Sequence, residues 1–425
     1  MYKQYVSVTE AVEIILANVP PLEIEDVTLQ MAIGRVLAES VIADSHIPSF
    51  EKSPLDGYAV RFEDVRRASA NAPIKLKVIE EIPAGHVPLK QLCAGEAARI
   101  MTGAMLPKGA DTIIKFEDTH LQIDANQHFL GDNRQIEIIA SPKSAGNYAK
   151  IGEDMNNGDV IVATGKLIDA ATVAILATFG YQQVKVYKQP CAIVFASGDE
   201  LVDASEKPTI GKIRNSNGPS ITAQLQLWGA RAIDGGIVHD KKDLVAQTLL
   251  SALEQYQVVI TTGGVSVGDY DIMKEVYQEI GAEILFWRVA MRPGTPMVVA
   301  KWKDKIIFGL SGNPSASYIS CELFVRAFIL KLQGHSDVWR PFVRATLTNS
   351  IGKVVDQDRF LRAVCAIDRC GKLVVESLPK QKSGVLANLV DANALIYVPA
   401  ANSQINTGDM VDIILLKPPG VYVHE

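Results

Sequence analysis

Between residues 188 and 334, strand-like apolar runs alternate with helix-length segments, and this alternation constrains the fold more than any other feature of the chain. Residues 192–195 (AIVF), 258–260 (VVI), 297–300 (MVVA) and 306–309 (IIFG) read as strands, and 220–228, 243–256, a segment reaching Ile280, and 316–332 as helices. Strand and helix in turn predict a doubly wound α/β layer, whose ligands bind beyond the carboxyl ends of the strands. The loops 197–200, 261–271 and 310–315 would gather there. The densest of them lies in 258–274, VVITTGGVSVGDYDIMK. Gly263, Gly264 and Gly268 allow backbone to approach a ligand closely, and the N–H groups of a following helical turn favour an anion. Asp269 and Asp271 set carboxylates beside that anion, which points to a metal ion or a hydrolytic step. The spacing is neither a Walker A loop, since Asp269-Tyr270 stands where Lys-Ser/Thr is needed, nor Gly-x-Gly-x-x-Gly. A tight β–α turn capped by an aspartate is the plainer reading.

At 425 residues the chain is too long for one core. Ahead of the α/β segment, Ser7-Val8-Thr9-Glu10 has the capping-box pattern, and Val8, Ala11, Val12 and Ile15 share one helical face up to Pro20-Pro21. Residues 29–41 read as a second helix. From about 47 to 140 short alternating runs such as 74–79 and 112–116 predict a β module. Residues 168–179 return to helix and stop at Gly180. The expectation is a split, elongated first domain (1–46 and 141–180) with a β-rich domain inserted at 47–140. An α/β domain follows over 181–335, and then 336–425 with short strands such as 343–347 and 373–376, a small β-barrel or sandwich. No 20–50-residue repeat is found.

A formal net charge of −6 argues against general nucleic-acid binding, and no apolar run approaches the length of a membrane span. The start lacks an export-signal pattern, so a cytoplasmic location is expected. Five cysteines without a Cys-x-x-Cys pair, and seven scattered histidines, point to reduced core cysteines rather than a disulfide framework or zinc site.

Several other loops carry polar groups that chemistry could use. Asp199-Glu200 at a strand's end can hold Mg²⁺ through oxygen. Asn215, Ser216 and Asn217 offer amide and hydroxyl donors. Residues 309–314, GLSGNP, precede a helix. Arg288 and Arg292 flank a turn and could clamp a phosphate or oxyanion. Each of these alone has an ordinary reading as a capped turn or a solvated surface side chain.

Taken in order, SPLDGYA, RIMTGA, GEDMNNGD, SGDEL, IRNSN, GIVHD, TTGGVSVGDYD, RPGTP and GLSGNP resemble the MoeA-type molybdopterin molybdotransferases, the family that includes the E domain of gephyrin. The motifs cover about 50–320, and the segment plan fits the family over essentially the whole chain. The resemblance implies a multidomain fold: an elongated split linker domain, an inserted β domain, a MogA-like doubly wound α/β domain and a C-terminal β-barrel. It implies a homodimer whose active site is shared between subunits. It also implies insertion of molybdate into adenylated molybdopterin, with Mg²⁺-dependent pyrophosphate cleavage and release of AMP and molybdenum cofactor. A MogA-type adenylyltransferase and molybdoenzyme acceptors are the partners it suggests.

Carried onto matching positions, the resemblance gives Asp56, Thr102, Asp154, Glu200, Asp240 and Asp271 as the catalytic polar set, with Glu200 and Asp240 on the metal. Gly263, Gly264, Ser266, Gly268, Lys274, Arg288, Arg292, Asn313 and Pro314 are the substrate-binding set, and Arg362 and Ser383 help hold molybdate. Departures from the family's pattern are Ser311, where Pro is common, Leu55, where Met is common, Ala149 beside Lys150 in place of an arginine, and Thr295 in place of a lysine. The residue chemistry agrees: breaking a phosphoanhydride needs charge neutralisation and positioning rather than a Cys or His nucleophile.

Overall fold

The computed structural model describes residues 3–121, 134–239, 241–264, 273–352, 356–400 and 404–421. The chain forms two compact units: residues 1–39, 164–173 and 182–425, and residues 40–163 with 174–181.

In the first unit, the helix Val8–Ala17 starts where the sequence predicts, with Ser7 Oγ accepting the Glu10 N–H at 3.1 Å. The reciprocal half of the capping box is replaced, because the Glu10 carboxylate pairs with Lys3. Val8, Ala11 and Ile15 turn inward. The second predicted helix is only Leu29–Ala32. Gly34 at φ +77 ends it, and Val36 and Leu37 instead make β-bridges to Leu167 and Val186. Arg35 seals this turn by donating to Glu25 and to the Tyr187 carbonyl, each at 2.6 Å.

The α/β layer of this unit is a six-stranded sheet. Its order is Arg231–Val238, Cys191–Ser197, Val258–Thr262, Lys305–Leu310, Met297–Trp302 and Glu283–Trp287. The first four strands are mutually parallel; the last two join antiparallel. Val258–Thr262 is buried throughout, as expected of a strand covered on both faces. One face packs against Asn217–Leu227 and the helical run from Pro314 to Leu332, through Ile221, Leu225, Phe324 and Phe328. The other packs against Lys242–Gln255 and Met273–Glu279, through Leu249, Leu253, Val276 and Tyr277. The doubly wound arrangement brings the loops after Ser197, Thr262 and Leu310 to one edge of the sheet.

The C-terminal strands close on themselves. Asp358–Ile367 pairs with both Leu373–Ser377 and Ala394–Val398; Leu373–Ser377 pairs with Phe342–Leu347, that strand with Met410–Leu415, and Met410–Leu415 with Ala394–Val398. The result is a five-stranded barrel around Leu347, Ala363, Cys365, Val375, Ile396 and Ile413. The short strand Met291–Arg292 adds in parallel to its longest strand.

The second unit contains a six-stranded sheet. Its order is Thr112–Lys115, Gly57–Val60, Glu96–Ile100, Ile74–Ile82, Gln135–Ile138 and Thr119–Leu121. Among the described residues no helix is long and apolar enough to cross a membrane.

Candidate functional site

Two adjoining cavities open in the first unit, both sharing Pro296, Ser311 and Asn313 in their lining. The larger, about 560 Å³, lies at the carboxyl ends of the parallel strands. Its floor is the junction of three loops. Gly263 sits at φ +93, and a Cβ there would lie 2.2 Å from the Ser197 carbonyl oxygen, so only glycine permits this approach. The Gly263 N–H donates to Leu310 O at 3.0 Å, tying the second loop to the third. Asn217 Nδ2 donates to Gly312 O at 2.9 Å, and Asn215 Oδ1 accepts the Gly218 N–H at 3.0 Å. Two helices start at this wall, Asn217–Leu227 and Pro314–Ser320, and neither N-cap side chain, Ser216 or Asn313, makes a cap bond. Of their first-turn donors, the Gly218 N–H is taken by Asn215 Oδ1 and the Ser315 N–H by Ser383 O at 3.0 Å, and Pro219 and Pro314 have none, so the helices offer an anion chiefly their dipoles. Thr262 Oγ1, buried in the same wall, finds no partner among the described residues.

The adjacent carboxylates at the end of Cys191–Ser197 have separate surroundings. Glu200 lines the cavity. Asp199 Oδ1 lies 3.2 Å from His239 Nδ1, and its backbone carbonyl accepts from Lys212. Among the described residues no group of three or more His, Cys, Asp or Glu converges. One carboxylate, substrate phosphates and water are nevertheless enough for Mg²⁺, so Glu200 fits that ion.

The second cavity, about 500 Å³, is cationic. Arg292, Arg359 and Lys382 line it with Thr295, Gln381 and Ser383, and no carboxylate does so among the described residues. Arg292 Nε donates to Gln357 Oε1 at 2.7 Å, and Thr295 Oγ1 donates to Met291 O.

Arg362 stands behind this wall and is fully buried. Its Nη1 donates to Ser315 Oγ and, at 2.8 Å, to Val385 O. Nη2 donates to Lys380 O and Lys382 O at 3.1 and 3.2 Å, and Nε to Gln381 Oε1 at 3.3 Å. All five donors of the fork therefore hold the segment 380–385 and Ser315, which places Lys382 and Ser383 against the cavity. Burial lowers the pKa of Arg362.

The second unit brings Asp56 and Thr102 together. Asp56 Oδ1 accepts from the Thr102 N–H at 2.7 Å and from its hydroxyl at 2.8 Å. These two bonds, the backbone one first, hold the carboxyl below the ordinary aspartate range although it is solvent-exposed. Asp154 is exposed on a turn, its N–H donating to Ile47 O at 3.0 Å.

Of the residues expected from sequence, Glu200, Gly263, Gly264, Asn313 and Pro314 thus line the larger cavity, and Arg292, Asn313 and Ser383 the cationic one. Lys274 and Arg288 line neither among the described residues. Lys274 lies in the first turn of Met273–Glu279, and Arg288 holds φ +81 while its N–H donates to Met297 O at 2.7 Å. Asp240, Ser266, Gly268 and Asp271 lie outside the described residues. Arg359 was not expected. Its position follows from the long-range register of Met291–Arg292 with the barrel, for which no local motif exists.

Residues 6–180 match the MoeA N-terminal region (domain I and II), residues 193–331 the family described as "Probable molybdopterin binding domain", and residues 344–416 the MoeA C-terminal region (domain IV). A molybdopterin molybdenumtransferase of Staphylococcus epidermidis is 38% identical over 412 residues, 97% of this chain and 96% of the relative. One of Staphylococcus aureus is 39% identical over 416 residues, with the same coverage. Among solved structures, a molybdopterin biosynthesis MoeA protein of Pyrococcus horikoshii superposes with a TM-score of 0.80 at 28% identity, covering 97% of this chain and all of that one. With this similarity along nearly its full length, the chain belongs to the MoeA family.

Proposed function

We propose that the protein is a molybdopterin molybdotransferase of molybdenum cofactor synthesis that takes adenylated molybdopterin and molybdate. Water adds to phosphorus as the phosphoanhydride P–O bond breaks, leaving one phosphate on the pterin and the other on AMP; the two dithiolene sulfurs bind molybdenum as one molybdate oxygen leaves as water with the two thiol protons. The observation that carries this reading is the pair of adjoining cavities. One has bare backbone, amides and a carboxylate suited to a pyrophosphate; the other is cationic and suited to an oxyanion. The Staphylococcus relatives, named molybdopterin molybdenumtransferase, support the same activity.

In this reading Gly263 and Gly264 receive the phosphates, the positive ends of the helices that start at Asn217 and Pro314 favour their charge, and Asn215 and Asn217 shape the loop around them. Mg²⁺, held at Glu200 and with Asp240 as its expected second carboxylate, would neutralise charge that builds on the phosphate oxygens. Asp271, Ser266 and Gly268 are the further loop residues expected to meet the pterin nucleotide. Asp56, Thr102 and Asp154 are proposed to complete the site from the second protomer of a homodimer. Lys274 and Arg288 are proposed as basic residues at its margin. A MogA-type adenylyltransferase supplying the substrate and molybdoenzymes accepting the product are the proposed partners, in a cytoplasmic setting.

Glu200→Ala tests the reading. AMP release from adenylated molybdopterin in the presence of molybdate and Mg²⁺ is expected to fall by about 10²-fold or more, in keeping with the loss of one preorganised electrostatic contact. Full AMP release and full metal insertion by a folded Glu200→Ala protein would remove Glu200 from the reaction.

A further inference from the structure

We propose that Arg359, together with Arg292, binds the oxyanion substrate of the cationic cavity; the assignment of that oxyanion as molybdate rests on the transferase reading above. Arg359 lies on Asp358–Ile367, where it is the direct partner of Arg292 across a parallel ladder. Paired residues of a ladder project from the same face, and both side chains line the cavity. Their strand neighbours confirm the alternation: Asp358 and Phe360 line a separate apolar hollow with Val8 and Val12.

This placement is costly without an anion. Arg359 is only 9% exposed, and its Nε has no hydrogen-bond partner among the described residues. An arginine stays protonated under ordinary conditions, so a buried fork without a counter-charge loses hydration and meets a like charge opposite. The nearest sequence carboxylate, Asp358, accepts from the Ala400 N–H at 3.0 Å on the other face. Lys382 adds a third positive charge to the same wall. Two forks in register, with the Ser383 hydroxyl and a lysine, offer several donors to a doubly charged tetrahedral oxyanion. Arg362 supports the same wall from behind, where its donors meet protein acceptors and hold the segment that carries Lys382 and Ser383.

The test is equilibrium dialysis of molybdate against the full chain and its variants, with tungstate and phosphate as further probes, and thermal melts as the folding control. Arg359→Met is expected to weaken molybdate binding about 10- to 100-fold, and Arg359→Lys about tenfold, because an ammonium cannot supply the bidentate fork. The KM for adenylated molybdopterin is expected to stay within about twofold, since uniform loss of fold rather than of an oxyanion contact would move both constants. Arg344→Met, on the same barrel but paired with Asp412 at 3.6 Å, is the control expected to leave molybdate binding unchanged. Wild-type molybdate affinity in either Arg359 variant overturns the inference. Molybdate binding that depends on Arg359 without any molybdenum transfer keeps the inference and overturns the transferase reading.

Discussion

Replacing Arg362 by Met removes a guanidinium that holds five acceptors and keeps most of its volume. The acceptors are Lys380 O, Lys382 O, Val385 O, Gln381 Oε1 and Ser315 Oγ. Four of them belong to the segment 380–385, which has no regular secondary structure and depends on this centre for its shape. A net hydrogen bond contributes about 1 kcal/mol, and bonds to a charged donor more, so the segment is expected to lose about 3–5 kcal/mol of local stability. The buried cation is lost along with its bonds, which offsets part of the cost and sets the lower end of that range. The assay is hydrogen exchange at 380–386, since a multidomain chain has no single unfolding free energy. Exchange there is expected to quicken by about 100-fold or more while the barrel strand Ala394–Val398 keeps its protection. Trypsin should then cut after Lys380 or Lys382 in the variant. Because Lys382 and Ser383 line the cationic cavity, molybdate affinity should fall in parallel. Unchanged exchange at 380–386 in a folded Arg362→Met protein would refute the assignment of Arg362 as the residue that positions this wall.

Two further outcomes can be read separately. The Asp56 carboxyl is held low by two bonds from Thr102, so Thr102→Val is expected to raise its pKa towards the ordinary aspartate value, measured by carbon NMR titration. Since the folded pKa lies below the unfolded one, the stabilisation from this contact is present above the unfolded pKa and is lost as pH falls through the folded pKa. Gly263→Ala is expected to cost about 1–2 kcal/mol from the left-handed backbone alone, with more from the 2.2 Å approach to Ser197 O. A lowered melting temperature with weaker AMP binding is the expected result, and an unchanged melt would mean that the two loops are not in contact.

The legible parts of the fold were those with local causes. Ser7 caps its helix, Asp169 accepts the Thr172 N–H at 2.8 Å to start Ala170–Thr178, and Gly180 follows that helix at φ +76. The apolar strands at 191–197, 258–262, 297–302 and 305–310 are visible because they are buried on both faces. The strands that sequence reasoning passed over, Arg231–Val238 and Glu283–Trp287, are the two edges of that sheet. An edge needs less apolar surface, and the first of them carries Asp234, Gly235 and Gly236, which read as a turn. Residues 29–41 have helical periodicity, yet after Gly34 at φ +77 the backbone of Val36 and Leu37 makes β-bridges instead.

The site divides the same way. Glycine loops and Glu200 follow strands directly and were readable one loop at a time. The Arg292–Arg359 pairing joins residues 67 apart through strand register, and the fully engaged fork of Arg362 depends on a segment about 20 residues further on. Such long-range contacts leave no spacing pattern for a single sequence to display.

The most direct test of the account is a single-turnover reaction of the purified chain with adenylated molybdopterin and molybdate, measuring AMP and pterin-bound molybdenum together. Equal amounts of the two products are expected, and neither when molybdate or Mg²⁺ is omitted. Molybdenum bound to pterin that still carries its adenylate, or AMP released at full yield with no molybdenum incorporated, would contradict it.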